Sequence, residues 1–369
     1  MTLRQLDILN YKNIRQASLS FSPKLNCLLG DNGEGKTNVL DAIYFLSFTR
    51  PYSHAGDALC ITHEEPLMML SGQYVLDGAS ETISCSLQRG GRKILRRGQK
   101  AYKRMSEHIG LLPLILVSPD DPYLLTSASE ERRRFMDAAI AQYNPAYIPL
   151  LNQYNRALLQ RNTLLRNEQQ PPTADQLEPY ELVMAETGEQ IFAARQAFVS
   201  DLEPRFQHYY QFICQSHEQP SLALESHCQR GPLLDVIQQD RAKDLAVGFS
   251  LHGTHRDDLA MQLDSFPLRR EGSQGQGKTY VVALRLAQYD LLAAACHGKK
   301  PLLLLDDIFD KLDAHRVERL VQLVSQPQFG QIFITDTNRQ HLDAIITRHA
   351  ADHQLFHVCH GSIIMRNEE

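Results

Sequence analysis

Residues 25–37 read LNCLLGDNGEGKT, and this stretch decides the fold. Its first part, Leu25–Leu29, is an apolar run that predicts a buried β-strand. The following residues match the pattern G-x-x-x-x-G-K-[ST] of a phosphate-binding loop, and apolar residues then recur at helical spacing. A strand, a glycine-rich loop and a helix in this order predict a nucleotide-binding site at Gly30, Asp31, Asn32, Gly33, Glu34, Gly35, Lys36 and Thr37.

Each part of this loop has a chemical role in binding a nucleotide. Glycines let the backbone N–H groups curl around phosphate oxygens, and the helix that starts near Lys36 directs its positive end toward them. Lys36 can bridge the β- and γ-phosphates, and the Thr37 hydroxyl can ligate Mg²⁺. We therefore predict ATP and Mg²⁺ as cofactors, with Lys36 in a catalytic role and Thr37 as a metal ligand.

The segment PLLLLDD, residues 301–307, is an apolar strand that ends in two acids. Acids at the carboxyl end of such a strand emerge beside the phosphate loop. We predict that Asp306 holds Mg²⁺ and that Asp307 orients or deprotonates the attacking water. ATPases of the ABC type usually carry glutamate at the second position. The shorter Asp307 predicts slow ATP hydrolysis. ATP binding, rather than ATP turnover, would then do most of the signalling.

The segment GSQGQGKT, residues 272–279, also matches the phosphate-loop pattern. Residues 267–271 before it do not form a buried strand, so we reject a second phosphate loop. Its place before the acidic strand is that of an ABC signature motif, and residues 310–313 have the spacing of a D-loop. A signature closes on ATP held by a partner subunit, which predicts a two-fold, ATP-dependent homodimer. The predicted signature residues are Ser273, which also has a catalytic role, Gln274, Gly275 and Gln276.

The rest of the pattern predicts an α/β fold: an ABC-type P-loop ATPase lobe with an inserted, mostly helical lobe. Glycine turns between residues 67 and 100 indicate β-hairpins. Between residues 129 and 214 apolar residues recur at helical spacing, and Gln170–Pro172 interrupts them, which predicts an antiparallel helical arm. We assign residues 1–125 and 240–369 to the ATPase head and residues 126–239 to the arm.

Composition limits the classes of function. The chain has 369 residues and a formal net charge of -5, so any DNA contact requires a local basic surface. Its cysteines form no C-x-x-C pair, so neither a zinc site nor a disulfide framework is predicted. The start lacks the apolar core of a signal peptide, and no apolar run approaches the ~20 residues of a bilayer span. We therefore expect a cytoplasmic protein.

Basic residues crowd one glycine-rich hairpin stretch, which we call the basic hairpin. It can contact DNA phosphates without base specificity, or it can be a solvated hairpin face, and the two interpretations stay open. The run Arg132–Arg134 starts a helix, where a buried or dimer-pairing role competes equally with DNA contact. The basic hairpin consists of Arg89, Arg92, Lys93, Arg96, Arg97, Lys100, Lys103 and Arg104.

With these motifs in place, the chain resembles the RecF family along nearly its whole length. The resemblance implies an SMC/Rad50-like head without the long coiled coil, which binds ATP and DNA, dimerises with ATP and has weak, DNA-stimulated ATPase activity used as a switch. It also implies that the chain works with RecR and RecO and helps load RecA at single-strand gaps in repair, replication and SOS induction. The motifs are YKNIR at 11–15, GDNG at 30–33, VSPDD at 117–121, RRRFMD at 132–137, GTHRDD at 253–258 and SQGQ at 273–276.

The sequence departs from the family pattern at several places. Thr254 stands where the family usually shows proline. The histidine that many ABC enzymes carry after the strand at 331–335 is absent, and residues 335–337 read TDT. No glutamine of a Q-loop follows Val117, which leaves Ser118 or Asp120 as candidates for that contact.

Three alternatives compete with this interpretation. A nucleotide-binding subunit of another ABC-type system, such as a transporter, keeps its phosphate loop and signature closer together than residues 37 and 273. A P-loop kinase or GTPase has no use for a signature and a D-loop. A non-hydrolysing, ATP-switched DNA clamp shares every residue with the preferred interpretation, and that alternative stays open.

Overall fold

The structure of this protein is a computed structural model, and the chain folds as two compact units. The first unit consists of Met1–Pro122, Tyr209–Ser216 and Gln274–Glu369, and the second of Tyr123–His208 and His217–Ser273. The structure describes residues 1–53, 56–167, 169–215, 217–264, 266–268, 273–296, 298–309, 314–337 and 352–366.

An antiparallel sheet forms one layer of the first unit. Its strands alternate buried and exposed side chains, as expected where one sheet face packs on a core. Tight hairpins join neighbouring strands, including the predicted β-hairpins between residues 67 and 100. In the spatial order β2-β1-β4-β5-β6-β7, its strands are β1 Thr2–Tyr11, β2 Ile14–Ser20, β4 Leu67–Leu76, β5 Ala79–Gln88, β6 Ile94–Arg97 and β7 Lys100–Ala101.

A mostly parallel sheet forms a second layer of the same unit. Its central strands are fully buried apolar runs, the pattern of a parallel sheet covered on both faces. β15 alone pairs antiparallel among the described strands of this sheet, through a tight turn from β14. In the spatial order β15-β14-β3-β13-β12-β8, its strands are β3 Leu25–Leu29, β8 Leu114–Val117, β12 Leu302–Leu305, β13 Ile332–Asp336, β14 His353–Cys359 and β15 Ser362–Arg366.

Helix α1, Lys36–Phe48, lies between the two sheets of the first unit. It contacts β1, β4 and β5 on one side and β8 and β13 on the other. Most of its side chains are buried, including the charged Lys36 and Asp41. Asp41 accepts hydrogen bonds from the Tyr11 hydroxyl and the Tyr52 backbone N–H, both at 2.6 Å, so its carboxylate is satisfied inside the core. These bonds tie α1 to β1 and to the segment that follows the helix.

The second unit combines helices with a small sheet. The sheet has the order β11-β10-β9, with β9 Pro220–Glu225, β10 Asp258–Leu263 and β11 Phe266–Pro267. The last residues of its longest helix, from Tyr209 onward, belong to the first unit. The α-helices among its described residues include α2 Tyr123–Thr126, α3 Ser129–Ile140, α4 Tyr147–Leu165, α5 Ala174–Cys214, α6 Leu233–Gln239 and α7 Arg241–Val247.

Helices α4 and α5 form the antiparallel arm that the proline break predicts. Arg161, late in α4, donates to Glu181, early in α5, at 2.9 Å. Tyr154, one to two turns earlier in α4, lies beside Gly188, where an added Cβ would come within 3.2 Å of the tyrosine ring. The contact nearer the C-terminus of α4 is made nearer the N-terminus of α5, so the two helices run antiparallel.

Two further helices of the first unit lie within the described residues, α8 Gln274–Ala295 and α9 Ala314–Val324. Helix α8 packs against β8. Arg285 of α8 donates to Asp121, just beyond β8, at 2.5 Å, and Asp121 also accepts from the Tyr52 hydroxyl at 2.8 Å. In the part of the chain that the structure describes, no helix combines the length and the apolar content that a bilayer span requires.

The unit boundaries differ from the predicted domains. The sequence assigned residues 240–273 to the ATPase head, but they belong to the second unit. The reason is that β10 pairs with β9 along its whole length, which joins residues 258–263 to a strand at 220–225. The inserted lobe therefore contains a small sheet as well as the helical arm.

Arg132 of the RRRFMD block has a buried structural role. Its side chain is 8% exposed and forms an ion pair with Asp258 at 2.6 Å. Arg133 donates to the Asp257 carbonyl oxygen at 2.7 Å. Arg134 is more exposed and pairs with Glu130 at 2.6 Å. For Arg132, this geometry favours the buried role over DNA contact.

Candidate functional site

The phosphate-loop pattern lies where the sequence predicts it, between β3 and α1. Gly33 has φ 86° and Gly35 has φ 117°, a left-handed backbone that other residues adopt only with strain. An added Cβ at Gly35 would come within 2.8 Å of the Asn13 side chain, so the close approach of Asn13 also requires glycine. Gly30 and Asp31 open the loop, with Asn32 and Glu34 on either side of Gly33.

Lys36 is buried at the first position of α1, and its ammonium group points into the loop. It donates to the carbonyl oxygens of Gly30, at 2.8 Å, and Asp31, at 3.1 Å. The same nitrogen lies 4.0 Å from Asp307 Oδ1. The positive charge therefore stands between the loop and the acids that follow β12.

Asp306 joins three elements at the carboxyl edge of the parallel sheet. Its Oδ1 accepts hydrogen bonds from the Thr37 hydroxyl at 2.9 Å and from the Thr335 hydroxyl at 2.7 Å. Burial raises the pKa of the Asp306 carboxyl to about 6, while the two hydroxyl donors and Lys36 oppose part of that rise. Hard oxygen donors of this kind are what Mg²⁺ prefers, so Thr37 and Asp306 fit a magnesium site.

Asp307 has a left-handed backbone with φ 41°. Its backbone N–H donates to the Thr335 hydroxyl at 2.9 Å, so Thr335 contacts both acids. Asp is one of the few residues that tolerate this conformation. The turn leaves the Asp307 side chain partly exposed beside Lys36, where it can reach a bound substrate.

The loop after β8 lies beside the acids. Ser118 accepts from the Asp120 backbone N–H at 3.2 Å, and its own N–H donates to Asp121 Oδ2 at 3.0 Å. Ser118, Lys278 and Asp307 line one cleft in the first unit. The sequence left Ser118 and Asp120 as candidates for the contact of the missing Q-loop glutamine. Ser118 is the candidate that lines this cleft with Asp307.

The predicted signature begins α8. Ser273 is exposed just before the helix, and Gln274–Gln276 form its first turn. The Gly275 carbonyl oxygen accepts from Arg316 of α9 at 3.4 Å, which places this part of the signature beside α9. The predicted D-loop at 310–313 lies outside the described residues. The structure thus joins Lys36, Thr37, Asp306 and Asp307 in one cluster, and the roles of Ser273–Gln276 stay predictions.

Two residues at the site, Thr335 and Asn13, are not among the site residues that the sequence predicts. Thr335 bridges both acids, and the sequence indicated only that a histidine is missing after its strand. Asn13 donates to the Glu34 carbonyl oxygen at 3.1 Å and accepts from Asn38 at 2.7 Å, which holds the phosphate loop against the start of α1. Its place in the YKNIR block is the one hint that was available.

Comparison with known families and proteins agrees with this geometry. A family profile described as an AAA ATPase domain matches residues 1–86. A protein of Bacteroides fragilis named DNA replication and repair protein RecF is 50% identical over 364 residues, which cover 98% of each chain. A protein of the same name from Phocaeicola vulgatus is 49% identical over 369 residues, which cover 100% of this chain and 99% of the relative.

Solved structures show the same fold. A structure described as the recombination mediator protein RecF-ATP in the RecFOR pathway superposes with a TM-score of 0.88 at 25% identity, over 99% of this chain and 98% of the other. An Smc head domain from Pyrococcus furiosus, solved with an extended coiled coil, superposes with a TM-score of 0.59 at 16% identity, covering 99% of this chain and 96% of the other. The predicted α/β, SMC-head-like ATPase fold is confirmed. The chain belongs to the RecF family.

Proposed function

We propose that this chain is an ATP- and DNA-binding recombination mediator that forms an ATP-dependent homodimeric clamp. It would help load a recombinase at single-strand gaps during DNA repair, replication and SOS induction. The observation that carries the proposal is the hydrogen bond from Thr37 to Asp306 at 2.9 Å, with the Lys36 ammonium 4.0 Å from Asp307 Oδ1. The names of the relatives, DNA replication and repair protein RecF, and the RecF-ATP structure support it.

The cluster suggests how ATP is held. Lys36 would exchange its carbonyl acceptors in the loop for oxygens of the β- and γ-phosphates. Thr37 and Asp306 would hold Mg²⁺, which neutralises phosphate charge during transfer. Asp307 would orient the attacking water, and Thr335 would fix both acids through its hydroxyl. Equilibrium binding of a fluorescent ATP analogue with and without Mg²⁺ tests this assignment, and binding that is indifferent to Lys36→Ala would refute it.

We expect slow ATP hydrolysis, below about 1 per second and thus under the common range for enzymes. The physical reason is the short Asp307 side chain, which positions water less well than glutamate. Asp307→Glu should raise the steady-state rate without DNA, while Asp307→Asn should lower it. Fast turnover of the unchanged chain, or an undiminished rate in Asp307→Asn, would contradict this role.

We expect ATP to drive dimerisation. Ser273 is exposed at the start of α8, where its hydroxyl and the helix N-terminus can reach ATP on a second copy. Light scattering should give twice the single-chain mass in saturating ATP and the single-chain mass without nucleotide. Lys36→Arg and Ser273→Arg should each prevent the increase, because the first weakens ATP binding and the second blocks the contact. A single-chain mass in saturating ATP would refute the proposal.

The basic hairpin supplies candidates for DNA contact. Two of its cations form ion pairs within the first unit, Lys93 with Asp57 and Arg97 with Glu81. Replacing the exposed Arg96, Lys100 and Lys103 with glutamine should weaken duplex binding and lower its salt dependence, because each phosphate contact contributes about 0.9 to the logarithmic salt slope. Fluorescence anisotropy over a salt series measures both effects. The exposed cations of this stretch are Arg89, Arg92, Arg96, Arg97, Lys100, Lys103 and Arg104.

A matched control variant distinguishes the effect of the basic hairpin on DNA binding from the effect of a lower net charge. Arg156, Arg166 and Lys243 are exposed cations of the second unit, and glutamine at these positions removes the same formal charge. We expect the control variant to retain most of the affinity and nearly the original salt slope. Equal losses in the two variants, or a flat salt response of the unchanged chain, would exclude the basic hairpin as the main DNA contact.

By family membership we further propose RecR as a direct partner, with RecO and RecA acting in the same process. The main alternative is a non-hydrolysing, ATP-switched clamp, which uses the same residues. The hydrolysis measurement separates the two, because the clamp alternative predicts no ATP turnover at all with DNA present. The RecFOR description of the solved RecF-ATP structure favours the mediator role over a subunit of another ABC-type system.

A further inference from the structure

The turn between β14 and β15 is attached to the back of the phosphate loop. His360 and Gly361 have φ 49° and φ 76°, the backbone of a two-residue hairpin turn with Cys359 and Ser362 paired beside it. The Gly361 N–H donates to the Glu34 carbonyl oxygen at 2.9 Å. An added Cβ at Gly361 would overlap the Asn13 carbonyl oxygen, so the turn fits closely against residues that also hold the loop.

This attachment brings three different metal-ligating side chains together. One ligand atom each from Glu34, Cys359 and His360 lies within 4.8 Å of the others. The Glu34 carboxylate accepts from the His360 backbone N–H and lies 3.2 Å from His360 Nδ1. The Glu34 side chain is 17% exposed, whereas that of His360 is 88% exposed. One ligand is therefore held in place, while the imidazole can turn toward a bound ion.

We propose that Glu34, Cys359 and His360 form a zinc site. Carboxylate, thiolate and imidazole are the ligands that Zn²⁺ takes in proteins, at bonds of about 2.0–2.3 Å. These bonds put tetrahedral ligand atoms roughly 3.3–3.8 Å apart, which the cluster reaches by side-chain rotation. Three protein ligands leave the fourth position to water, and the bound thiol releases its proton to solvent.

The donor set distinguishes this site from the magnesium site of the same loop. Mg²⁺ requires oxygen ligands in octahedral geometry and binds thiolate and imidazole poorly. Glu34 lies inside the phosphate loop, so a zinc ion would link that loop to the β14–β15 turn through coordination bonds. Scattered cysteines gave no zinc signal in the sequence, because the ligands come from positions 34 and 359–360 and meet only through the fold. The inference does not depend on the proposed function.

Zinc binding can be measured directly on the full chain. Titration of Zn²⁺ against a chromophoric chelator should give one ion per chain, and Zn²⁺ but not Mg²⁺ should protect Cys359 from alkylation, read by mass spectrometry. Cys359→Ser and His360→Ala should each weaken Zn²⁺ binding by about tenfold or more, since even outer-shell changes at zinc sites cause losses of about 10–100-fold. The alkylation measurement needs no variant and so does not depend on how a variant folds.

Matched controls are Cys296→Ser and His63→Ala, which remove the same donor types elsewhere in the first unit. Both should bind Zn²⁺ as the unchanged chain does. Alkylation of Cys359 that proceeds at the same rate with and without Zn²⁺ would overturn the site. So would equal Zn²⁺ affinity in Cys359→Ser and in the unchanged chain, since Cys359 would then be no ligand of the ion.

Discussion

Replacing Asp306 with asparagine should make the nucleotide-free protein more stable and remove its response to Mg²⁺ and ATP. Asp306 is buried, and burial raises its pKa from 3.8 to about 6. The folded chain therefore holds the proton more tightly than the unfolded chain. Ionisation of Asp306 in the folded chain therefore lowers the free energy of unfolding. This loss of stability is absent below pH 3.8, grows as the pH rises from 3.8 to 6 and is complete above pH 6. At pH 7.5 we expect a gain of about 1–3 kcal/mol from the neutral amide.

The loss of Mg²⁺-dependent ATP binding has a separate cause. Asparagine keeps an oxygen that can accept from Thr37 and Thr335, but it lacks the charge that holds a divalent cation. Because outer-shell changes already reduce metal affinity about 10–100-fold, loss of a ligand should exceed that range. Thermal unfolding at pH 7.5 and pH 4.5, with and without Mg²⁺ and ATP, measures both effects.

Asp307→Asn is the matched control. It makes the same chemical change at the next residue, whose side chain is 21% exposed and whose charge is therefore better solvated. This variant should show little gain in stability and should keep the thermal shift caused by Mg²⁺ and ATP. A less stable Asp306→Asn protein at pH 7.5, or one that retains the full shift, would contradict the assignment of Asp306.

The sequence predicts the parts of the site that depend on local chemistry. An apolar run followed by glycines and Lys36 can form little else than a buried strand, a tight loop and a helix start. The apolar run Leu302–Leu305 likewise predicts a strand in a covered sheet, with its acids at the edge, and the structure has it there. The two segments are far apart in sequence, and the known behaviour of parallel sheets was sufficient to bring them together.

Thr335 escaped prediction because its role arises from strand order. β13 lies between β3 and β12, so the end of β13 comes between Thr37 and Asp306. A single threonine at the end of an apolar run carries no local sign of that position. The extent of the second unit was missed for a similar reason, since β9 and β10 are short and pair across a long separation in sequence.

Charged residues of the arm were the least predictable from sequence, because a charge is usually solvated. Arg161 is the clearest example, with no measurable exposure of its side chain. It donates to Glu181 at 2.9 Å, to Asp244 at 2.6 Å and to the Ser250 hydroxyl at 2.7 Å. One guanidinium therefore joins both arm helices to the segment that follows them, and only the fold brings these positions together.

We expect Arg161→Met to destabilise the chain by about 3–5 kcal/mol. Methionine fills similar space but leaves Asp244 without its guanidinium partner, although Glu181 keeps its ion pair with Arg241. Arg161→Lys should destabilise less, because it keeps the charge but loses the planar fork that serves two carboxylates. Urea unfolding followed by far-UV circular dichroism suits this chain, which has no tryptophan.

Arg134→Met is the control, because it removes the same group from an exposed pair in the same unit. The Arg134 side chain is 44% exposed and that of its partner Glu130 is 62% exposed, so solvent screens the interaction. Exposed pairs contribute about 0–1 kcal/mol, and we expect a change within that range. If the two variants lost equal stability, the energy of Arg161 would reside in its packing or its helix propensity rather than in charges held away from water. A large difference would show that the arm depends on charges that only the folded chain brings together.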